Sequence, residues 1–346
     1  MAHVPVSTAF ASDNAAPAHP AAMAALQQVN TGSAAAYGAD QVSTEAADAL
    51  RATFEAPDAE VLFTFTGTAA NIIALASAVR PWQEVLCSDI AHVLVDEAGG
   101  PVRLSGAPLT RLPSDDGLID PTALDRHAAR RGPVHHSQPR IVSITQSTEN
   151  GRVWNPAALA EFVDHAHDLD LLVHIDGSRL ANAVAALGVS AKAAIGDADI
   201  VTVGGTKNGM LFGDALLIRR PEHFAGIRFV QKQIGHLASK NRFVAAQFSA
   251  FLRDGLWLRT AAHANTMAAR LGAGFERAGL RLACPVEANE VFVELDADTH
   301  RALGRHYAAH QPDPDVAVVR FVCAWSTTDS EVDQLLETVR ALKNTS

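Results

Sequence analysis

The stretch LLVHIDGSRLANAVAALGVSAKAAIGDADIVTVGGTKNGM, Leu171 to Met210, decides the fold. Leu171 to Ile175 form an apolar run broken only by His174, and the run stops at Asp176-Gly177, the pattern of a buried strand ending at a carboxylate. Leu180, Ala183, Val184 and Leu187 then recur at helical spacing, with Ser178 as a cap and Gly188 as a stop. A second apolar run, Ile200 to Val203, ends in Gly204-Gly205-Thr206-Lys207-Asn208-Gly209, a glycine-rich tight turn. Strand, helix and strand make a βαβ unit. Its strands are parallel, so Asp176 and Lys207 share the carboxyl edge, where open α/β sheets bind ligands.

An acid and a lysine at that edge suggest two chemical roles. A carboxylate buried at a strand end needs a cationic partner, and a protonated pyridine nitrogen is one. A desolvated lysine among glycines can lose its proton and attack an aldehyde. Either residue alone is explained as a helix cap or a turn lysine. The pair at this spacing points to pyridoxal 5'-phosphate, whose enzymes combine a Schiff-base lysine with a partner for the ring nitrogen.

With 346 residues and 48% hydrophobic content, the chain can bury one large core and a smaller one. A net charge of −10 argues against nucleic acid or an anionic membrane as the main partner. The three cysteines, Cys87, Cys284 and Cys323, are far apart and form no CxxC pair, which supports neither a disulfide framework nor a zinc ribbon and suits a reducing cytoplasm. No secretory signal and no run of membrane-spanning length is expected.

Outside the central unit, residues 1–20 read as an irregular arm whose polar groups gather at Phe10-Ala11-Ser12-Asp13-Asn14. Helical spacing is expected from Pro20 to Val29 and from Thr44 to Phe54. The run Val61 to Phe65 turns through Thr66-Gly67-Thr68 into a helix, so backbone N–H groups and threonine hydroxyls face outward at its positive end and form a phosphate cup. Ile90 to Gly100 reads as a helix with His92 at its start and paired glycines at its end, and an imidazole there could stack on a cofactor ring and exchange protons. His135-His136 precede the strand Ile141 to Thr145, which ends at the polar segment Gln146 to Gly151. Adjacent histidines diverge, and no metal site is expected. Beyond residue 278, strands at Leu280–Ala283, Val291–Leu295 and Ala317–Cys323 alternate with helices as a small α+β lobe. Arg320, inside the last apolar run, requires an anion, and a substrate carboxylate is a candidate. The expected divisions are an arm (1–20), a large cofactor-binding domain (21–250) and a small C-terminal domain (251–346).

At HIDGSRLANA and GGTKNGM the sequence resembles the low-specificity L-threonine aldolases, within the aromatic β-eliminating lyase and threonine aldolase group of fold type I pyridoxal-phosphate enzymes. FASDNAAPAHPAAM resembles the family's opening motif, FTGTAAN its phosphate loop, IAHVLVDEAGG its ring-stacking histidine segment and AVVRFV its carboxylate-binding strand, in the family order. The resemblance implies an α/β fold, a mostly parallel sheet in the large domain and a smaller α+β C-terminal domain. It implies that Lys207 carries the cofactor, Asp176 holds the pyridinium nitrogen, and His92 stacks on the ring. Gly67, Thr68 and Thr206 would bind the phosphate; Arg179 and Arg320, with Ser12, would take the substrate carboxylate, with Arg179 also bordering the cofactor. His136 matches a second active-site histidine near the β-hydroxyl, and Lys232 a basic residue reaching the neighbouring subunit's cofactor, so a homodimer or homotetramer with interfacial sites is implied. The implied reaction is cleavage of L-threonine, L-allo-threonine and related β-hydroxy-α-amino acids such as phenylserine to glycine and an aldehyde. The loop after Tyr37-Gly38 departs from the family pattern, which bears on the pocket for the β-substituent. A β-eliminating lyase acting on another β-substituted amino acid is the alternative, and a protein that only binds the cofactor is a more distant one.

Overall fold

Residues 6–343 are described by the computed structural model. Eleven strands are present: β1 (Glu60–Thr64), β2 (Gln83–Ser88), β3 (Leu109–Leu112), β4 (Ser114–Asp115), β5 (Leu118–Ile119), β6 (Gln138–Thr145), β7 (Leu172–Gly177), β8 (Ile200–Gly204), β9 (Asp214–Ile218), β10 (Glu290–Glu294) and β11 (Val318–Val322). Seven of them form one sheet in the order β1-β9-β8-β7-β6-β2-β3. The pairs from β3 to β8 are parallel, whereas β9 runs antiparallel to both β1 and β8. All six residues of β7 are buried, which is why that strand reads as an apolar run rather than an alternating one.

Helices cover both faces. One apolar cluster joins Val173, Ile175 and Val201 to Phe162, Phe248 and Phe251; a second, on the other face, joins Leu172 and Ile200 to Ile73, Leu75 and Phe224. Each such side chain contributes about 1.5–3 kcal/mol by leaving water. Among the described residues no helix is long and apolar enough to cross a membrane.

The C-terminal lobe holds the antiparallel pair β10-β11, with only an isolated bridge, Leu282 to Val293, where a third strand was expected. Its core includes Phe10 from the arm, fully buried against Met267, Phe275 and Phe321. The arm is tied there by backbone bonds: Ser7 N–H to His306 O and Val322 N–H to Phe10 O.

Three local expectations are corrected. The segment after His92 is a short helix, His92–Val95, followed by a separate one, Gly100–Ser105, because Gly99 adopts φ 70° and opens the second helix instead of closing the first. Ser178 does not cap the helix Leu180–Leu187, whose cap position is Arg179; its hydroxyl binds Asp176 instead. The single helical region that apolar spacing predicts from about Asn241 through Leu258 to Ala278 splits into Arg242–Leu252 and Leu256–Arg277 around Asp254, which sits at φ 54°.

Candidate active site

The carboxyl edge of the parallel strands carries the chemistry. Asp176, second to last in β7, pairs in register with Thr145 of β6 and Thr202 of β8, and Lys207 follows β8 in the short turn Thr206–Asn208. The glycines before it are required by close approach: a Cβ on Gly204 would strike the Ser178 carbonyl, and one on Gly205 the Gly213 carbonyl. The half-buried Lys207 makes no hydrogen bond or ion pair with the described residues, so its amine is available to a ligand.

Asp176 is almost wholly buried and fully satisfied. Oδ1 accepts from the Ser178 amide (3.0 Å) and hydroxyl (2.8 Å), and Oδ2 from Asn71 Nδ2 (2.7 Å). Burial favours the neutral acid, but Lys207, His92 and His174 oppose it, and the carboxyl stays below its ordinary range. It is therefore a buried anion at the sheet edge, held by neutral donors. Behind it, Asn71 Oδ1 accepts from Thr202 Oγ1 (2.9 Å), Thr202 meets His174 Nε2 (3.2 Å), and His174 Nδ1 meets Ser143 Oγ (2.9 Å).

His92 is held from two sides. Its Nδ1 lies 2.9 Å from Glu97 Oε1, and its backbone N–H donates to Glu149 Oε1 (2.8 Å), which also accepts from Thr145 Oγ1 (2.7 Å). The bond to Glu97 raises the imidazole's affinity for a proton above the ordinary value, against burial. Burial pushes the Glu149 carboxyl up to about 7, and its Oε2 has no hydrogen-bond partner. Ligand atoms of His92, Glu97 and Asp176 lie within 4.8 Å of one another, but Asn71 Nδ2 already bridges the two carboxylates.

A cavity of about 210 Å³ joins His92 to the cup expected from sequence; Thr66, Gly67, Thr68, Thr206 and Lys207 line it as well. The helix Gly67–Ala78 points its first turn into it, capped by Thr66 Oγ1 on the Ala69 amide (3.2 Å). A Cβ on Gly67 would stand 3.2 Å from Ser178 Oγ, so the absence of a side chain leaves the room an anion needs. An ionised acid, an unpaired lysine, an imidazole and an anion cup together fit pyridoxal phosphate.

At the far side, Arg179 is already engaged. Its Nε and Nη2 grip both oxygens of the buried Asp13 (2.7 and 3.1 Å), and Nη1 lies 3.2 Å from Glu290. Arg320 reaches Glu290 only at 3.6 Å, and its Nε has no hydrogen-bond partner, so Arg320 is the arginine with a free donor. Ser12 caps the turn Asp13–Ala15, accepting from the Asn14 amide. Asp13 and Glu290 were not singled out by sequence, and neither were Asn71, Glu97 or Glu149. Each is an acid or amide inside a quoted motif or polar strand end except Glu290, which carried no local signal.

Two expected residues lie elsewhere in the chain. His136 is exposed, beside Arg130 (3.3 Å), two residues before β6. Strand direction places it at the amino edge of the sheet, with the whole of β6 between it and Thr145, a rise of roughly 25 Å. Within one chain it stands at the opposite edge of the sheet from Asp176 and Lys207. Lys232 is exposed, with its amine 5.1 Å above the Tyr37 ring.

Comparison with known proteins agrees with the geometry. Residues 9–298 match the beta-eliminating lyase family. A low-specificity L-threonine aldolase of a Pseudomonas species is 39% identical over 343 residues, covering 97% of this chain and 98% of its own. That of Pseudomonas aeruginosa is 38% identical over 338 residues, 96% of each chain. The solved threonine aldolase of Leishmania major superposes with a TM-score of 0.92 at 28% identity, covering 97% of this chain and 99% of its own.

Proposed function

We propose the reaction from two premises: the chain belongs to the beta-eliminating lyase family and, within it, to the low-specificity L-threonine aldolases, and its sheet edge joins an ionised Asp176 to an unpaired Lys207. The enzyme is a carbon–carbon lyase that cleaves L-threonine, L-allo-threonine and related β-hydroxy-α-amino acids to glycine and an aldehyde. The Asp176–Lys207 juxtaposition carries this reading.

Bound pyridoxal phosphate supplies an electron sink for the pair left at Cα when the Cα–Cβ bond breaks. Lys207 Nζ would anchor it, and its amine would be the group that releases the product glycine. Asp176 holds the ring nitrogen's proton, and Asn71 and Ser178 hold Asp176. Gly67, Thr68 and Thr206 cradle the phosphate. Arg320 fixes the substrate carboxylate, so that the Cα–Cβ bond rather than Cα–H is aligned for cleavage. Arg179, gripped by Asp13 and Glu290, serves as the wall against which that carboxylate rests, with Ser12 beside it. His92 is the base for the β-hydroxyl proton, since its Nδ1 is fixed by Glu97 and Nε2 is left for the substrate.

In a division into an arm (1–20), a large domain (21–250) and a small one (251–346), Asn14 of the arm and the large domain line the cavity, while Glu290 and Arg320 come from the small domain. A homodimer or homotetramer is supported by exposed Tyr37, Phe65, Leu211 and Phe229, and by the exposed Lys232, whose amine stands over the Tyr37 ring on the same surface. Three free, buried cysteines suit a cytoplasmic enzyme. The assay that tests the reaction offers L-threonine, L-phenylserine and a β-thio amino acid to the holoenzyme. Acetaldehyde or benzaldehyde should appear in equal amount with glycine; pyruvate and ammonia from the thio substrate, with no aldehyde from the others, would make it a β-eliminating lyase instead.

A further inference from the structure

The phosphate cup contains a carboxylate. Asp214 opens β9, the antiparallel strand, and its register with Thr64 and Gly204 places it between the ends of β1 and β8. Those two ends lead into the two loops of the cup, Thr66-Gly67-Thr68 and Gly205-Thr206-Lys207, so the side chain rises between them. Oδ1 accepts from the Gly205 amide (2.9 Å), and Oδ2 lies 3.4 Å from Thr206 Oγ1 and 4.0 Å from where a Gly67 Cβ would be. Asp214 lines the same cavity as Gly67, Thr68, Thr206 and Lys207. Among the described residues of one chain no arginine lines that cavity, and its cations are Lys207, which the reaction requires, and His92 when protonated.

We propose that Asp214 is a ligand of the cofactor phosphate and binds it as a neutral acid, accepting from the Gly205 amide through Oδ1 and donating the Oδ2 proton to a phosphate oxygen. An ionised carboxylate at this distance repels a phosphate dianion, whereas a protonated one makes a short charge-assisted bond to it. The surroundings favour the proton. Burial pushes the group up to about 6, the Gly205 and Thr206 bonds and Lys207 oppose this, and Asp176 adds to it. The helix start at Gly67 and Thr68 and the Ser178 hydroxyl face it without formal charge, His92 faces it across the cavity, and on the β1 side His236, which accepts from the Phe65 amide, stands behind Phe65. A bound phosphate then raises the acid's proton affinity further.

The inference rests on the reading of Gly67, Thr68 and Thr206 as the phosphate cup, and one experiment separates the two. Apoenzyme of wild type and D214N is titrated with pyridoxal 5'-phosphate and with pyridoxal, which has no phosphate, from pH 6 to 8.5. Asparagine keeps the acceptor for Gly205 and donates permanently, so its binding needs no extra proton. Wild-type affinity for pyridoxal 5'-phosphate should fall relative to D214N by about tenfold per pH unit above pH 6, and the ratio for pyridoxal should not change. The 31P resonance of wild-type holoenzyme should stay at the dianion position throughout. Equal pH dependence in the two proteins, or weaker binding by D214N at every pH, would overturn the role of Asp214 while leaving the cup intact. Equal affinity of wild type for the two ligands would overturn the cup itself. If D214N does not fold, D214S, whose hydroxyl also donates without a titrating proton, carries the same comparison.

Discussion

In the proposed reaction, His92 is the residue whose charge decides whether the β-hydroxyl proton can be taken. A base must be unprotonated to take the β-hydroxyl proton, yet the hydrogen bond from Nδ1 to Glu97 Oε1 holds a proton on the ring to higher pH than an ordinary histidine would. The enzyme therefore gains activity as pH rises through that elevated value. Replacing Glu97 by glutamine keeps the shape but removes the charge that holds the His92 proton, so the acid limb of kcat/KM should move to lower pH. A pH–rate profile of E97Q against wild type measures it, and an unmoved limb would assign the titration to another group. Glu149 sets position rather than charge in this scheme: its carboxylate holds the His92 backbone and Thr145, and so fixes where the ring stands.

At the scale of elements, β7 links the site to stability. His174 lies two residues before Asp176, fully buried, between Ser143 and Thr202, and burial depresses its proton affinity from 6.5 to about 4. The folded group is neutral where the unfolded one would be charged, so its contribution is whole above pH 6.5 and is lost as pH falls toward 4. Between pH 6.5 and 5 that loss is about 2 kcal/mol. Denaturant unfolding of wild type and H174Q at both pH values checks this: the wild type should lose about that much more than the variant. Equal losses would place the acid sensitivity in other groups. The arm is the second element with a double role. Phe10 is buried in the small lobe's core, and three residues later Asp13 grips Arg179, so burial of an aromatic ring positions a carboxylate at the substrate end.

At the scale of the whole molecule, what was legible followed from direction and burial. A strand covered on both faces must be apolar, so β7 and β8 could be read as strands, and a βαβ crossover makes them parallel, which put Asp176 and Lys207 on one edge. The reverse direction of β9 was not legible, because an apolar run has no polarity of its own, and with it went the placement of Asp214 in the cup. His136 precedes β6 in sequence and so lies at its amino end, which the order of the chain already showed, whereas the motif match alone said nothing of that distance from Thr145. The Arg179 knot joins Asp13 to Glu290 across almost the full chain. Only tertiary structure brings such partners together. The glycines after His92 were ambiguous because the same residue closes one helix and opens another.

The central claim is that Lys207 and Asp176 hold one cofactor for one bond cleavage. The most direct measurement is the visible absorption spectrum of purified holoenzyme, in wild type and K207A, before and after adding L-threonine, with acetaldehyde followed in the same cuvette. Wild type should be yellow, change its spectrum on adding substrate and release acetaldehyde; K207A should lose the lysine-linked band and turn over no substrate. A wild-type protein that stays colourless with added pyridoxal phosphate would contradict the account, returning Asp176 to a turn-stabilising carboxylate and Lys207 to an ordinary turn lysine.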